Sequence, residues 1–380
     1  MKKVLHISND YTGSKVYKNL VSELDKLCLQ QFVYTPIRDE NKIGENDIEF
    51  KTIGSKIIYS QILNYHLDRI FYRRKIKKIL NDIESKIDFS EIDIIHAHTW
   101  YSDGGVAYLL HKKYNIPYII TIRSTDLNLF QKYLIHERGF GMNILKNAMN
   151  IVLITSSYQN RILKEKSLQS IKSTIVDKLK IIPNGVDNYW INNSVFSTKK
   201  TLNQKLIKCL YIGKFSKRKN VVQLQTAIDQ LNKELINIHL DLIGGGGRYH
   251  KRVLSKVVSN PTTMTFHGQV NDKNILKEYF RDATFFAMPS SHETFGLVYV
   301  EAMLQGLPIL YTDKEGIDGF YNEEIGEKVF SNNVTEIKNK ILKLIQNIDS
   351  YSIPTSKLIE NHDWSKIALK YMDLYSNAQS

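Results

Sequence analysis

Short β-branched runs alternate with helical patterns along almost the whole chain, in two successive series. The first series has strand-like runs at Val4–Ser8, Gln31–Thr35, Ile92–His96, Tyr118–Ile122, Ile151–Thr155 and Leu179–Ile182, with helical patterns between several of them. The second has runs at Ile207–Ile212, His239–Ile243, Met264–His267, Thr284–Met288 and Pro308–Tyr311. Helical patterns there fall at Val221–Leu235, Lys251–Val258, Asp272–Arg281 and Leu297–Leu304. Such alternation implies crossover connections, and therefore parallel sheets built from βαβ units. Each series is about the size of one doubly wound domain, so the expected architecture is α/β with two Rossmann-like halves. A length of 380 residues agrees with two domains.

The expected boundaries are an N-terminal domain over 1–190, a linker over 191–205, a C-terminal domain over 206–360 and a C-terminal helix over 361–380 that returns toward the first domain. The turn Pro183-Asn184-Gly185-Val186-Asp187 and the aperiodic polar stretch from Asn192 to Lys205 mark the join. Open parallel sheets bind ligands beyond the carboxyl ends of their strands, so the site is expected in a cleft between the halves.

Composition narrows the class. Hydrophobic residues make up 42%, enough for ordinary cores, and no apolar run has the length needed to span a bilayer. The N-terminus, Met1-Lys2-Lys3-Val4-Leu5-His6-Ile7-Ser8, lacks the apolar core of a signal peptide. Two cysteines, Cys28 and Cys209, make neither a disulfide framework nor a metal motif. A cytoplasmic location is expected. The net charge of +13 favours a polyanionic partner. Arg69, Arg73, Arg74, Lys75, Lys77 and Lys78 crowd one segment, punctuated by Leu63, Leu67, Ile70, Phe71, Ile76, Ile79 and Leu80 at roughly helical spacing. This pattern fits a helix lying on an anionic membrane surface, and equally a core-packed helix with a solvated basic face. No zinc, RRM or homeodomain signature accompanies the charge, so nucleic acid is not expected as a partner.

Glu293 and Glu301 stand eight positions apart in Ser290-Ser291-His292-Glu293-Thr294-Phe295-Gly296-Leu297-Val298-Tyr299-Val300-Glu301-Ala302. A buried strand pattern precedes this stretch, and a helical pattern runs from Phe295 to a glycine stop at Gly306. Strand, polar loop and helix aim a helix N-terminus at an anion. One carboxylate at the mouth and another two turns on can hold different parts of an elongated ligand. Isolated acids at this spacing are commonly solvated helix residues, but the flanking Pro-Ser, Phe-Gly-Leu and Gly306-Leu307-Pro308 set this pair apart.

The loop Gly213-Lys214-Phe215-Ser216-Lys217-Arg218-Lys219-Asn220 follows the first strand of the second half. A glycine turn with several cations before a helix suits phosphate, although a lone lysine-rich turn is commonly just a basic surface loop. Gly244-Gly245-Gly246-Gly247 also follows a strand and permits close backbone approach. It lacks both the dinucleotide fingerprint and the P-loop pattern, which argues against hydride transfer and ATP hydrolysis. In the first half, His96-Ala97-His98 closes a strand, and its two histidines share one face. With no cysteine or acid at metal spacing, hydrogen bonding in the site wall is expected rather than a metal. Thr121-Ile122-Arg123-Ser124-Thr125-Asp126-Leu127-Asn128 places a cation and a carboxylate at the next strand end, where a surface salt bridge is the plainer reading.

These landmarks resemble the retaining GT-B glycosyltransferases of the E-x7-E group (family 4-like, group 1). The resemblance covers nearly the whole chain and is strongest over about 207–320. It rests on Gly213 with Lys219-Asn220, Ile243-Gly244, Phe266-His267-Gly268, Pro289-Ser290 through Glu301-Ala302, Gly306-Leu307-Pro308 and Gly316, together with His96-Ala97-His98 and Trp364. It implies a nucleotide-diphosphate sugar as co-substrate, a UDP-sugar above others, with no further cofactor. Lys214 and Lys219 would stabilise the departing diphosphate, Glu293 would contact the transferred sugar and Glu301 the donor ribose. Gly213, Gly244, Thr294, Phe295, Gly296 and Leu297 would complete the donor site, and no metal is implied. Arg123 and Asp126 are candidates for acceptor or sugar contacts, with Gly13, His98 and Asn128 on the acceptor side. The acceptor would be a glycan or lipid-linked sugar in bacterial surface-polysaccharide synthesis, met at the inner face of the plasma membrane. Three positions depart from the family pattern: Lys214 where arginine is usual, Arg123 where histidine is frequent, and a single glycine in Asn9-Asp10-Tyr11-Thr12-Gly13-Ser14. A sugar-nucleotide epimerase of the same fold and a non-catalytic GT-B-like subunit are the rival readings.

Overall fold

The central strands of both halves are buried on two faces, as parallel sheets covered by helices require. The computed structural model describes residues 2–65, 67–196, 206–330 and 333–377. Two compact units are formed. The first comprises Met1–Ile154, Tyr158–Gly185 and Trp364–Ser380; the second comprises Thr155–Ser157 and Val186–Asp363.

The first unit contains β1 (Lys3–Ile7), β2 (Gln30–Ile37), β3 (Lys56–Gln61), β4 (Ile94–Ala97), β5 (Tyr118–Ile122), β6 (Asn150–Leu153) and β7 (Leu179–Ile181). All pair in parallel in the order β3-β2-β1-β4-β5-β6-β7. Alternation along the strands supplies two cores. Val4, Ile94, Ile119 and Val152 pack with Leu20, Ile367 and Tyr371 on one face. Their neighbours Leu5, Ile95, Ile120 and Ile151 pack with Ile76, Val106 and Ile144 on the other. The helices Lys15–Lys26 and Trp364–Ser376 therefore cover one face, and Tyr72–Glu84, Ser102–Tyr114 and Arg138–Asn147 the other.

The second unit contains β8 (Ile207–Lys214), β9 (Ile238–Gly245), β10 (Met264–Phe266), β11 (Phe285–Ala287), β12 (Ile309–Thr312) and β13 (Gly326–Val329). These too are parallel, in the order β10-β9-β8-β11-β12-β13. Leu210, Ile228, Leu240, Phe286, Met303, Ile309 and Ile341 belong to its core. The order changes direction at β8, the kind of crevice position where such sheets hold ligands.

Edge elements β3 and β13 were not expected from sequence. The expected linker also differs. Val195 donates its N–H to the Leu304 carbonyl at 2.8 Å, and the Thr355 hydroxyl donates to the Val195 carbonyl at 3.0 Å. These bonds fasten the stretch up to Phe196 to the second unit; residues 197–205 lie outside the described part. No helix among the described residues is long and apolar enough to cross a membrane.

Candidate functional site

The loops that follow β8 and β11 carry the donor candidates of the second unit. Lys217–Lys219 make a short 3-10 turn, and Asn220 takes a φ of +50°, which asparagine tolerates better than most residues. In that conformation its buried amide donates to the Pro289 carbonyl at 2.7 Å. Ser291 donates its N–H to the Arg218 carbonyl, also at 2.7 Å. The two loops are thereby stitched together, and the Lys219 ammonium pairs with the Glu293 carboxylate. The Met288 sulfur lies 3.3 Å from the same ammonium. The lysine side chain is 14% exposed and the glutamate 8%, so the pair is shielded yet reachable.

Glu293 opens onto Thr294, Phe295 and Gly296. Gly296 sits at φ +79° as the N-cap of the helix Leu297–Leu304, with no side-chain cap on that helix. Phe295 is buried, and Tyr299 donates its hydroxyl to the Met288 carbonyl, anchoring the helix start to the end of β11. Gly316, at φ +55°, lies against this loop: a Cβ there would come 2.7 Å from the Phe295 carbonyl oxygen. The helix ends where the sequence indicated. Gly306 has φ +79°, and Leu307 donates to the Ala302 carbonyl at 3.1 Å.

Glu301 lies about one turn before the end of that helix and is half-buried. Burial raises its carboxyl to about 7, the Asp187 carboxylate adds to the rise and Lys273 opposes it. Asp187 and Lys273 themselves pair at 2.5 Å. Gly244, at φ +119°, donates to the Gly268 carbonyl at 2.8 Å, and a side chain there would run into the Gly213 carbonyl. The ends of β8 and β9 thus approach as bare backbone. Lys214 ends β8 exposed, in no ion pair among the described residues.

In the first unit, the polar groups gather at the carboxyl ends of β1, β4 and β5. The Asp126 carboxylate accepts the backbone N–H groups of Trp100 and Tyr101 at 3.1 Å and of Arg123 at 2.9 Å. It is wholly buried, which raises its carboxyl to about 6 against the pull of those bonds. Asp126 therefore positions backbone instead of touching a ligand, which corrects the expectation of a direct contact. Arg123 remains half-buried. Its guanidinium donates to the Asn184 side chain at 2.9 Å and lies 5.1 Å from the centre of the Tyr17 ring. Asn128 is engaged by Arg161 at 2.8 Å. Gly13 closes the turn after β1, where a side chain would meet the Asp10 carboxylate.

Sequence reasoning missed two groups here. His6 stands opposite His96 in the β1–β4 register and brings its Nδ1 3.1 Å from His98 Nε2. His96 Nδ1 faces the Tyr375 hydroxyl at 2.7 Å and its Nε2 the Thr121 hydroxyl at 2.9 Å. Potential ligand atoms of the three histidines lie within 4.8 Å of one another, and all three rings are buried. Burial pushes each of them well below the ordinary histidine value, His6 to about 3. Among the described residues no carboxylate joins them, and both nitrogens of His96 are engaged, so the trio is a buried hydrogen-bonded cluster. The other omission is Asp103, fully buried and raised to about 7 by burial, which accepts the Asn9 N–H at 3.1 Å.

The basic helix needs correcting. Lys75 is buried on the inward face with Tyr72, Ile76, Ile79 and Ile83, and its ammonium donates to the Ser102 hydroxyl at 2.9 Å. Arg73 pairs with Glu137 at 2.7 Å, and Lys78 lies 3.8 Å from Asp68. Arg74 and Lys77 are exposed. The Arg69 side chain lies outside the described part.

Two parallel α/β units, with a cation, an acid and a helix start gathered at the strand ends of the second, define a GT-B type of enzyme. Residues 13–188 match the Glycosyltransferase Family 4 model, and residues 193–362 match the model of Glycosyl transferases group 1. The chain belongs to this glycosyltransferase family. It is 24% identical over 352 residues to the alpha-monoglucosyldiacylglycerol synthase of Acholeplasma laidlawii, covering 87% of this chain and 83% of that one. It is 23% identical over 310 residues to the capsular polysaccharide biosynthesis glycosyltransferase CapH of Staphylococcus aureus, covering 80% and 79%. The structure of Anabaena HepE in complex with UDP and glucose superposes with a TM-score of 0.67 at 16% identity, covering 99% of this chain and all of that one.

Proposed function

We propose that this glycosyltransferase moves a sugar from a nucleotide-diphosphate sugar, a UDP-sugar foremost, to a glycan or lipid-linked acceptor, with retention of anomeric configuration and without a metal ion. The observation that carries the reading is the Lys219–Glu293 pair beside the uncapped helix start at Gly296. When the bond from the anomeric carbon to the diphosphate oxygen breaks, the electron pair stays on the diphosphate. Lys219, Lys214 and the helix N-terminus offer positive potential for that charge. Glu293 would accept hydrogen bonds from the transferred sugar, and Glu301 from the ribose hydroxyls. The acceptor hydroxyl oxygen would attack from the face the leaving group vacates and pass its proton to the departing diphosphate. A UDP complex of a protein with the same fold supports the donor class. Relatives named for a glucosyl lipid and for capsular polysaccharide support an acceptor built into surface glycans. Such an acceptor would place the enzyme in the cytoplasm, against an anionic inner membrane.

The test is a panel of nucleotide sugars with lipid-linked and soluble glycan acceptors, in EDTA, with the product anomer read by NMR. Retained configuration and undiminished turnover in EDTA are expected. An inverted product or a strict metal requirement would overturn the mechanism. UDP release with an epimerised sugar and no acceptor dependence would favour the epimerase reading.

A further inference from the structure

We infer that the first unit carries a membrane-docking surface made of two segments, the outer side of the helix Tyr72–Glu84 with the residues before it and the turn-rich stretch Asp126–Glu137. This deepens the proposed function, since it rests on an acceptor held at an anionic bilayer. The two segments meet through the Tyr72 and Phe130 rings, 6.2 Å apart, and through Arg73, which reaches Glu137 and covers the Phe140 ring at 3.7 Å. Around that seam the protein exposes large apolar side chains: Leu67 at 40%, Phe71 at 52%, Leu129 at 51%, Tyr133 at 63% and Ile135 at 64%. Solitary exposed apolar residues are ordinary; five flanking one seam mark an interaction surface.

Charge decides the partner. Among the described residues, the exposed basic groups of these segments are Arg73, Arg74, Lys77, Lys78, Lys132 and His136. Of the carboxylates in the same segments, Asp68, Asp126 and Glu137 are buried, while Asp82 and Glu84, at the far end of the helix, are partly buried and paired with Lys86 and Lys113. A face with apolar and aromatic side chains, outward cations and inward acids matches the headgroup region of an anionic leaflet. Arg74, Lys77 and Lys132 supply attraction, while Phe71, Leu129, Tyr133 and Ile135 enter the interface.

Vesicle sedimentation of the full chain tests the inference, using phosphatidylcholine with and without about one-third phosphatidylglycerol. The wild type is expected to pellet with the anionic vesicles and to release in high salt. R74S/K77S is expected to lose about thirty-fold in partitioning. Y133S/I135S is expected to lose binding in moderate salt. A wild type that stays in the supernatant with anionic vesicles at low salt overturns the inference. So does an apolar variant that binds as well as wild type, and so does a dimer that Y133S/I135S dissociates, which would assign the face to a second copy. Donor binding without vesicles is measured on the same variants. It should equal wild type, and a wild type without donor binding would count against the proposed function alone.

Discussion

The Lys219 ammonium and the Glu293 carboxylate form a shielded ion pair although 74 positions separate them, because the loops after β8 and β11 are stitched by Asn220 and Ser291. In the proposed reaction the departing diphosphate competes with Glu293 for this cation. Lys219→Ala is expected to depress turnover far more than donor affinity, since leaving-group charge peaks in the transition state. Lys214→Arg is expected to be tolerated. Steady-state kinetics beside calorimetry decides: near wild-type turnover in Lys219→Ala would remove the lysine from the mechanism.

Glu301 should give donor binding a pH dependence. Its carboxyl is raised to about 7 by burial, with Asp187 adding and Lys273 opposing. Ribose hydroxyls donate best to the carboxylate, so affinity should rise as pH climbs through about 7 and level off above. Between pH 8 and pH 6 the expected loss is about tenfold, and Glu301→Gln should flatten the curve. The same shift lets the unliganded fold gain stability as pH falls toward 4.5 and lose it as pH rises through 7. A wild-type affinity that does not change across this range would contradict the role.

Much of this was readable in the chain, and the exceptions have physical causes. The helix Leu297–Leu304 was legible because Gly296 and Gly306 bracket an apolar pattern, and its observed limits match. Strand β3 is an edge strand with partly exposed side chains, and β13 carries Glu327 and Lys328 among four residues, so neither has the apolar run of a central strand. His6 was overlooked because its neighbours His96 and His98 come from another strand, and register is not written locally. Lys75 was legible in principle: it lies three residues after Tyr72 and one before Ile76, on the inward stripe. Grouping it with the other cations by charge alone concealed that.

Asp126 is expected to matter for stability. Its two oxygens accept three backbone N–H groups. In Asp126→Asn an amide NH2 would face those donors. A loss of at least about 2 kcal/mol in urea unfolding is expected, with turnover largely kept in the folded fraction. An unchanged unfolding midpoint would show that these bonds contribute little.

Gly316→Ala separates stability from catalysis in the second unit. The φ of +55° costs an alanine about 1–2 kcal/mol. The added Cβ would press on the Phe295 carbonyl and touch the Glu293 side chain. Turnover should fall by more than the stability loss explains, because the Glu293 loop must shift. Wild-type turnover with a lowered melting temperature would confine Gly316 to a structural role.

Calorimetric titration of UDP-sugars into wild type and Glu301→Ala, with thermal unfolding on the same samples, tests the donor site most directly. Saturable binding by wild type is expected, with a stabilisation of about 2.7 kcal/mol at a hundredfold excess over Kd. Glu301→Ala should stay folded and bind more weakly by about 1.5–3 kcal/mol. Equal binding by the two proteins, or none by wild type across the nucleotide-sugar panel, would contradict the account.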